Sequence, residues 1–289
     1  MTITGVMSMA VMAINAQATA IGNISDNVAN AGTPGYKAVN TLFHDMVLGQ
    51  RPGGGPVLDS GRPGGVIAYA DFANRKGGTI VSDVDNPTSA AVSGNGFFPV
   101  AKPTGFDAVT GEPTGFETEV YYTRQGDFHL DSSGRLVNGA GYYLMAAAPS
   151  GTGAPRVMTV DTGDNAAGSG FAGVSIGDGG LVTVTYDDKS TADIGQILLA
   201  NFREPDELDR IDGTAFRVTG NSGDAVYGNP RGANQAGVGT IKGSALEQST
   251  VDTGDQMTQL IIAQQAYSMN SQVLKAANEM MSTVVSLKG

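Results

Sequence analysis

The last stretch of the chain, residues 256–288, constrains the fold more than any other segment. It contains neither Pro nor Gly, and it carries only three charged side chains. Apolar residues recur along it at heptad spacing in two stripes, which predicts one long α-helix of the coiled-coil type. Because the two stripes lie well apart around the helix, a single groove cannot cover both.

The two stripes supply most of the candidate interface residues. The first stripe consists of Ile262, Ala266, Met269, Val273, Ala276, Met280, Thr283 and Leu287. The second stripe consists of Leu260, Ala263, Tyr267, Asn270, Leu274, Ala277, Met281 and Val284. A helix that packs on the core of a single chain normally carries Lys and Glu on its solvent side, and this one does not. We therefore expect other helices to surround it, with the candidate subunit-interface residues Leu260, Ile262, Tyr267, Met269, Val273, Leu274, Met280, Met281, Val284 and Leu287.

A second amphipathic helix is predicted over residues 2–31. The segment Gly32-Thr33-Pro34-Gly35 ends it, because Gly suits a left-handed cap and Pro cannot continue the helix. The line Asn23, Asn27 and Asn30 is either a solvated edge or a set of interhelical hydrogen bonds that fix the register, as a buried Asn does in coiled coils. The candidate interface residues of this helix are these three asparagines together with Met7, Val11, Ile14, Ile21 and Val28.

The composition changes sharply between the two ends and the middle. Residues 31–250 hold all 12 Pro and 38 of the 42 Gly, which indicates turns between short strands. We predict an α+β fold, mostly β, in which antiparallel β structure is inserted between terminal helices that pair with each other. The predicted parts are a helical polymerisation domain from 1–34 and 245–289, a connecting segment over 35–65 and a β-rich outer domain over 66–244. The prediction of a connecting segment rests on the Gly-Pro runs within it, because such runs do not favour regular structure.

Charge and cysteine content exclude several functions. The net charge of −11 argues against nucleic acid as a partner, since phosphate contacts need clustered Lys and Arg. The absence of Cys excludes disulfides, thiolate nucleophiles and Cys-ligated zinc, and it suits a protein outside the cell. The apolar N-terminal segment lacks the basic start of a cleavable signal peptide and is interrupted by Asn15 and Gln17, so neither signal cleavage nor membrane insertion is expected.

An enzymatic alternative rests on two Asp-Thr-Gly triplets. They begin at Asp161 and Asp252, and an aspartic protease needs such a pair for its carboxylate dyad. Each triplet is followed by another Asp, and Asp252 or Thr253 is better interpreted as the N-cap of the C-terminal helix. We therefore predict no catalytic, cofactor-binding or metal site. A further alternative is a coiled-coil adaptor that forms small closed oligomers.

Several segments, in this order along nearly the whole chain, resemble the flagellar axial proteins, the family of rod and hook subunits. They are Ile24-Ser25-Asp26-Asn27-Val28-Ala29-Asn30, Thr33-Pro34-Gly35-Tyr36-Lys37, Asn95-Gly96-Phe97-Phe98, Tyr122-Thr123-Arg124, Gly243-Ser244-Ala245-Leu246-Glu247-Gln248-Ser249 and Ile262-Ala263-Gln264-Gln265-Ala266-Tyr267.

The resemblance implies a structural subunit that polymerises into a tube beneath the flagellar filament, with the terminal helices as its inner core. Residues 24–27 and 199–202 resemble the hook subunits, the universal joint between rod and filament, and on this basis we predict a short hook subunit. The short length resembles the distal rod, which is the alternative. The implied partners are further copies of the chain, the distal rod, the hook–filament junction, the hook cap and the flagellar export apparatus. The implied location is the extracellular hook or the basal body, reached by type III export without a cleaved signal.

Overall fold

The computed structural model describes residues 3–48, 62–107, 111–165, 168–212, 214–231 and 237–286. Two long helices lie at the ends of the chain, and every strand pairing described between them is antiparallel. The predicted α+β fold, mostly β, is therefore confirmed. The chain divides into two compact units: a terminal unit of Met1–Ala31, Ala38–Ala73 and Val251–Gly289, and a body of Gly32–Lys37 and Asn74–Thr250.

The terminal unit contains both long helices and one hairpin. Helix α1 spans Ile3–Ala29, strand β1 Val39–Leu48, strand β2 Arg62–Phe72 and helix α2 Thr253–Ser286. Helix α1 packs against α2 and against both strands. Its buried side chains include three alanines, whose small size allows close approach of the neighbouring elements: Ala10, Ala16 and Ala20.

The predicted N-cap of the C-terminal helix is confirmed. Asp252 Oδ1 accepts hydrogen bonds from the backbone N–H groups of Gly254 at 2.9 Å and Asp255 at 3.2 Å. These two donors lie in the first turn of α2, where backbone N–H groups have no intrahelical partner. The carboxylate of Asp252 therefore serves the start of the helix.

Asn27 connects three elements of the terminal unit. Its side-chain Nδ2 donates to the carbonyl of Val39 at 2.8 Å and to Gln256 Oε1 at 2.9 Å, and its Oδ1 accepts from the N–H of Val39 at 2.8 Å. The side chains of Asn27 and Gln256 are both buried. The Asn27 amide thus pairs with the backbone of β1 as a neighbouring strand would. It also joins α1 to α2, and this bond fixes the register of the two helices.

Helix α1 is the one described helix that is long and apolar enough, by length and composition, to cross a membrane. Its most apolar window has a mean hydropathy of 1.3. In the terminal unit this apolar character serves packing, since Ala16, Ala20 and Ile24 are buried in the unit.

Residues 39–48 of the predicted connecting segment 35–65 form β1, and β2 begins within that segment at Arg62 and runs through Pro63, Gly64 and Gly65. A two-stranded ribbon has open edges, where Pro is tolerated. Gly65 has a φ of +116°, and a Cβ there would lie 2.4 Å from Met12 Sδ. Glycine therefore lets β2 pass close to α1. Residues 66–73, which belong to the predicted outer domain 66–244, lie in the terminal unit. Residues 49–61 lie outside the described residues.

The body consists of short strands and one 3₁₀ turn, Pro205–Glu207. Its first strands are β3 Ile80–Ser82, β4 Ala90–Ser93, β5 Phe98–Phe106, β6 Pro113–Thr123, β7 His129–Leu130, β8 Leu136–Val137, β9 Tyr143–Ala146 and β10 Arg156–Val157. The remaining strands are β11 Phe171–Ile176, β12 Leu181–Tyr186, β13 Thr191–Gln196, β14 Leu199–Asn201, β15 Asp209–Asp212, β16 Ala215–Arg217, β17 Val226–Gly228, β18 Thr240–Gly243 and β19 Ala245–Glu247.

The largest sheet has the strand order β15-β16-β6-β5-β9-β8-β7, with β10 paired to β9. A second sheet has the order β11-β12-β13, and β14–β17, β18–β4 and β19–β3 form pairs. The segment Asp131-Ser132-Ser133-Gly134 predicts a hairpin turn, and β7 and β8 pair across it, with Asp131 Oδ1 accepting from the N–H groups of Ser133 and Arg135. The sequence of residues 220–239 predicts a loop, but β17 lies within it.

Two groups of side chains form the core of the body. The larger includes Phe98, Leu136, Leu144, Val182 and Ile197, each fully buried. The smaller is aromatic, with edge-to-face contacts from the Phe97 ring to those of Phe202 at 5.9 Å and Phe216 at 5.6 Å.

Glu247 lies at the centre of a buried ion cluster in the body. Its Oε1 accepts from Lys37 Nζ and from the N–H of Gly78, and its Oε2 accepts from Arg124 Nη1 at 3.2 Å. The side chains of Lys37, Arg124 and Glu247 are at most 2% exposed. Burial lowers the pKa of the Lys37 amine, and the Glu247 carboxylate opposes that shift. Three segments that are distant along the chain therefore meet at one carboxylate.

Removing this carboxylate is expected to destabilise the body. Glu247→Gln leaves two buried cations without their counter-charge, so we expect the free energy of unfolding to fall by about 3–5 kcal/mol. Urea unfolding followed by tyrosine fluorescence measures this loss. The control is Asp209→Asn, which removes a carboxylate from the exposed pair with Arg217, where the change is expected to be small. Equal stability of Glu247→Gln and the wild type would contradict this account of the cluster.

Loss of the Asn27 amide is expected to loosen the terminal unit. Asn27→Ala leaves the N–H and carbonyl of Val39 and the side chain of Gln256 without their partner, at a cost of about 2–4 kcal/mol. Hydrogen exchange across residues 24–28 and 253–258 is then expected to speed up. Asn15→Ala, at an exposed position of the same helix, is the control and should leave exchange there unchanged. Identical exchange rates in both variants would refute the proposed link.

Candidate subunit interface

Helix α2 leaves most of its surface uncovered. Of its 34 residues, only Gln256, Ala263 and Ala277 are buried. Ala263 and Ala277 belong to the second apolar stripe, and Leu260, Leu274 and Met281 of the same stripe are half-buried. This face packs against α1. The second stripe is therefore largely occupied within the chain.

The first stripe is exposed. Ile262, Met269, Val273 and Met280 have between 47% and 61% of their surface accessible. Tyr267 and Val284, which belong to the second stripe, are also exposed. A contiguous apolar surface of this kind is typical of a protein–protein contact. We call the set Ile262, Met269, Val273 and Met280 the exposed stripe.

Further exposed apolar side chains lie outside the two heptad stripes. Ile261, Val285 and Met257 are each more than two-fifths exposed. Sequence reasoning missed them because it followed only the heptad positions. Their own apolar character was the available signal.

Helix α1 contributes less open surface. Met7, Ile14, Ile21 and Val28 are half-buried, and Val11 is exposed. Contacts with α2 and the hairpin account for this burial. Leu287, the last candidate interface residue, lies outside the described residues.

The three asparagines of α1 have different environments. Asn27 makes the interhelical hydrogen bond described above, so the interhelical interpretation holds for this residue within one chain. Asn23 Nδ2 donates to Thr41 Oγ1 of β1 at 2.9 Å, and Asn30 Nδ2 donates to the carbonyl of Asp26 in its own helix at 2.9 Å. A role for any of them between subunits stays a prediction.

Two concave apolar regions lie next to the exposed stripe in the terminal unit. One has a volume of about 390 Å³ and is lined by residues that include Ala20, Phe43 and Ile262. The other has a volume of about 410 Å³ and is lined by residues that include Met9 and Val273. Knobs-into-holes packing between helices requires projecting side chains beside grooves that can receive them, and the exposed stripe and these regions provide both.

The chemistry of this surface is association rather than proton transfer. The side chains of the exposed stripe carry no ionisable group. Asp161 and Asp252, the carboxylates of the enzymatic alternative, are exposed and accept hydrogen bonds from backbone N–H groups two residues further along the chain. Each carboxylate therefore has a local structural role.

Two family descriptions match separate parts of the chain. Residues 242–287 match the description "Flagellar basal body rod FlgEFG protein C-terminal", and residues 91–184 match "Flagellar hook protein FlgE/F/G D1 domain". The first match contains most of α2 and Glu247. The second contains Arg124 and the central strands of the largest sheet.

Curated relatives match over nearly the full length. The flagellar basal-body rod protein FlgG of Bacillus subtilis is 31% identical over 280 residues, covering 93% of this chain and 94% of that protein. FlgG of Caulobacter vibrioides is 30% identical, covering 92% of each. The flagellar hook protein FlgE of Brucella abortus is 25% identical over 421 aligned positions that cover both chains completely. The chain therefore belongs to the flagellar axial family, the rod and hook proteins, as its motifs predict.

Proposed function

We propose that this chain polymerises with copies of itself into a tube of the flagellar axial structure, with α1 and α2 forming the inner wall. The observation that carries the proposal is the exposed stripe of α2. A structural flagellar subunit is what the family match supports, and the stripe supplies the physical reason for assembly.

The energetics favour assembly over an isolated subunit. Burying one large aliphatic side chain contributes about 1.5–3 kcal/mol. The exposed stripe offers four such side chains, and Tyr267 and Val284 of the second stripe are exposed as well. Helices of neighbouring copies can cover this surface, because each copy presents both the ridge and the grooves beside it. A heterologous contact of this kind repeats along a helical polymer when the rotation between neighbouring copies does not close into a ring.

Hook and distal rod are the two candidate positions in the axial structure. Residues 24–27 and 199–202 favour a hook subunit, the prediction made from the sequence. Length favours the distal rod, since the hook alignment runs to 421 positions for a chain of 289 residues, whereas rod relatives align nearly end to end. Curved tubes assembled from the pure protein would support the hook, and straight tubes would support the rod.

The remaining parts of the proposal concern partners and route. The subunit joins other axial proteins at the two ends of its polymer, either the distal rod or the hook–filament junction, and meets a hook cap during growth. The flagellar export apparatus delivers it without a cleaved signal peptide. The excess of acidic residues supports the absence of a nucleic-acid partner.

Charged substitutions in the exposed stripe are expected to block assembly. Ile262→Asp and Met269→Asp each place a carboxylate where the proposal requires an apolar contact. We expect each to raise the critical concentration for tube formation by at least about tenfold, because more than 1.4 kcal/mol per contact is lost. Sedimentation and electron microscopy of the concentrated full chain measure this change.

A matched control separates assembly from folding. Val84→Asp makes the same kind of substitution at an exposed apolar side chain of the body, and it should assemble like the wild type. Circular dichroism should show the same secondary structure in all three variants. Tubes from Ile262→Asp and Met269→Asp at the wild-type critical concentration would refute the proposed interface.

A further inference from the structure

The body contains an open polar cavity of about 220 Å³ that is separate from the apolar surface of the terminal unit. Three arginines line it, Arg75, Arg124 and Arg203, and two asparagines, Asn95 and Asn201. None of the described lining residues is acidic. The nearest acidic side chains lie beside the rim, where Glu204 pairs with Arg75 and Asp206 Oδ1 accepts from the N–H of Arg75 at 3.1 Å.

The floor of the cavity is electrically unbalanced. Lys37, Arg124 and Glu247 are the buried charged side chains among the residues that the structure describes, so one carboxylate faces two cations. Both carboxylate oxygens of Glu247 already accept hydrogen bonds, from Lys37 and Gly78 on one side and Arg124 on the other. A buried cation without full compensation is costly, and a nearby anion would remove that cost.

Arg124 is held in place but is not fully satisfied. Its Nη2 donates to the carbonyl of Gly94 at 2.8 Å, and its guanidinium carbon lies 5.1 Å from the centroid of the Phe97 ring. Its Nε is buried and has no hydrogen-bond partner in the described part of the chain. The guanidinium is therefore held at the floor of the cavity as a buried positive charge.

The rim of the cavity supplies two more cations. Arg75 and Arg203 are exposed, so their side chains can turn toward a bound group. Arg75 makes an ion pair with Glu204 at 3.6 Å, in which both side chains are more than half exposed. Such an exposed pair contributes little and exchanges readily. Guanidinium groups bind planar or tetrahedral oxyanions through paired N–H donors.

From this arrangement we infer that the cavity is an anion site that binds one oxyanion, a phosphate group or a carboxylate, between Arg75 and Arg203 at the rim and above Arg124 at the floor. The carboxylate can come from an acidic side chain of a second copy of this chain, and the phosphate from free inorganic phosphate. Both sources use the same chemistry.

The test is a titration of the full-length protein with sodium phosphate and with sodium acetate, each compared with sodium chloride at matched ionic strength. Isothermal calorimetry and the thermal unfolding midpoint are the two readouts. Arg75→Gln and Arg203→Gln change only exposed rim positions, so both should fold. We expect each to weaken oxyanion binding by about tenfold, the loss of one charge-assisted contact. Arg156→Gln removes the same charge from an exposed position outside the cavity lining and should bind like the wild type.

Each outcome bears on the inference. Phosphate binding that the rim variants weaken and the control retains supports the site, with free phosphate as the occupant. Acetate binding of the same pattern supports it with a carboxylate as the occupant. The inference is overturned if neither anion binds more tightly than chloride, or if Arg75→Gln and Arg203→Gln bind as well as Arg156→Gln. Tube formation is not measured, so the outcome is independent of the proposed assembly.

Discussion

The rest of the structure depends on the fact that one chain cannot cover its own C-terminal helix. Helix α2 has apolar side chains on two separate faces, and α1 with its hairpin covers only one of them. The covered face carries Ala263 and Ala277, which let α1 approach closely, while the other face carries Ile262, Met269, Val273 and Met280. Apolar surface of this extent is typical of protein–protein contacts, which is the reason for proposing that other copies of the chain cover it.

Different interactions stabilise the two units of the chain. The terminal unit relies on apolar faces and on the amide of Asn27, a short polar group that sets the register without adding charge. The body relies on a conventional β core and on Glu247, whose carboxylate gathers segments from the start, the middle and the end of the chain.

Local chemistry made some features predictable from the sequence. The two helices, the Asp252 cap and the hairpin at Asp131 follow from periodicity and turn residues. The passage of β2 through Gly65 was not predictable, because the need for Gly arises from Met12 on another element. Lys37, Arg124 and Glu247 meet only after folding. The sequence indicated two apolar stripes on α2 but did not say which one α1 covers.

The central claim is that the exposed stripe becomes buried only when copies of the chain assemble. Methionine oxidation footprinting of the dilute protein and of assembled tubes tests it directly. Met269 and Met280 are exposed in the single chain, whereas Met158 lies in the core of the body and serves as an internal reference. We predict that Met269 and Met280 oxidise readily in the dilute protein and become protected in tubes, with Met158 protected in both. Equal oxidation of Met269 and Met280 in tubes and in the dilute protein would contradict the account.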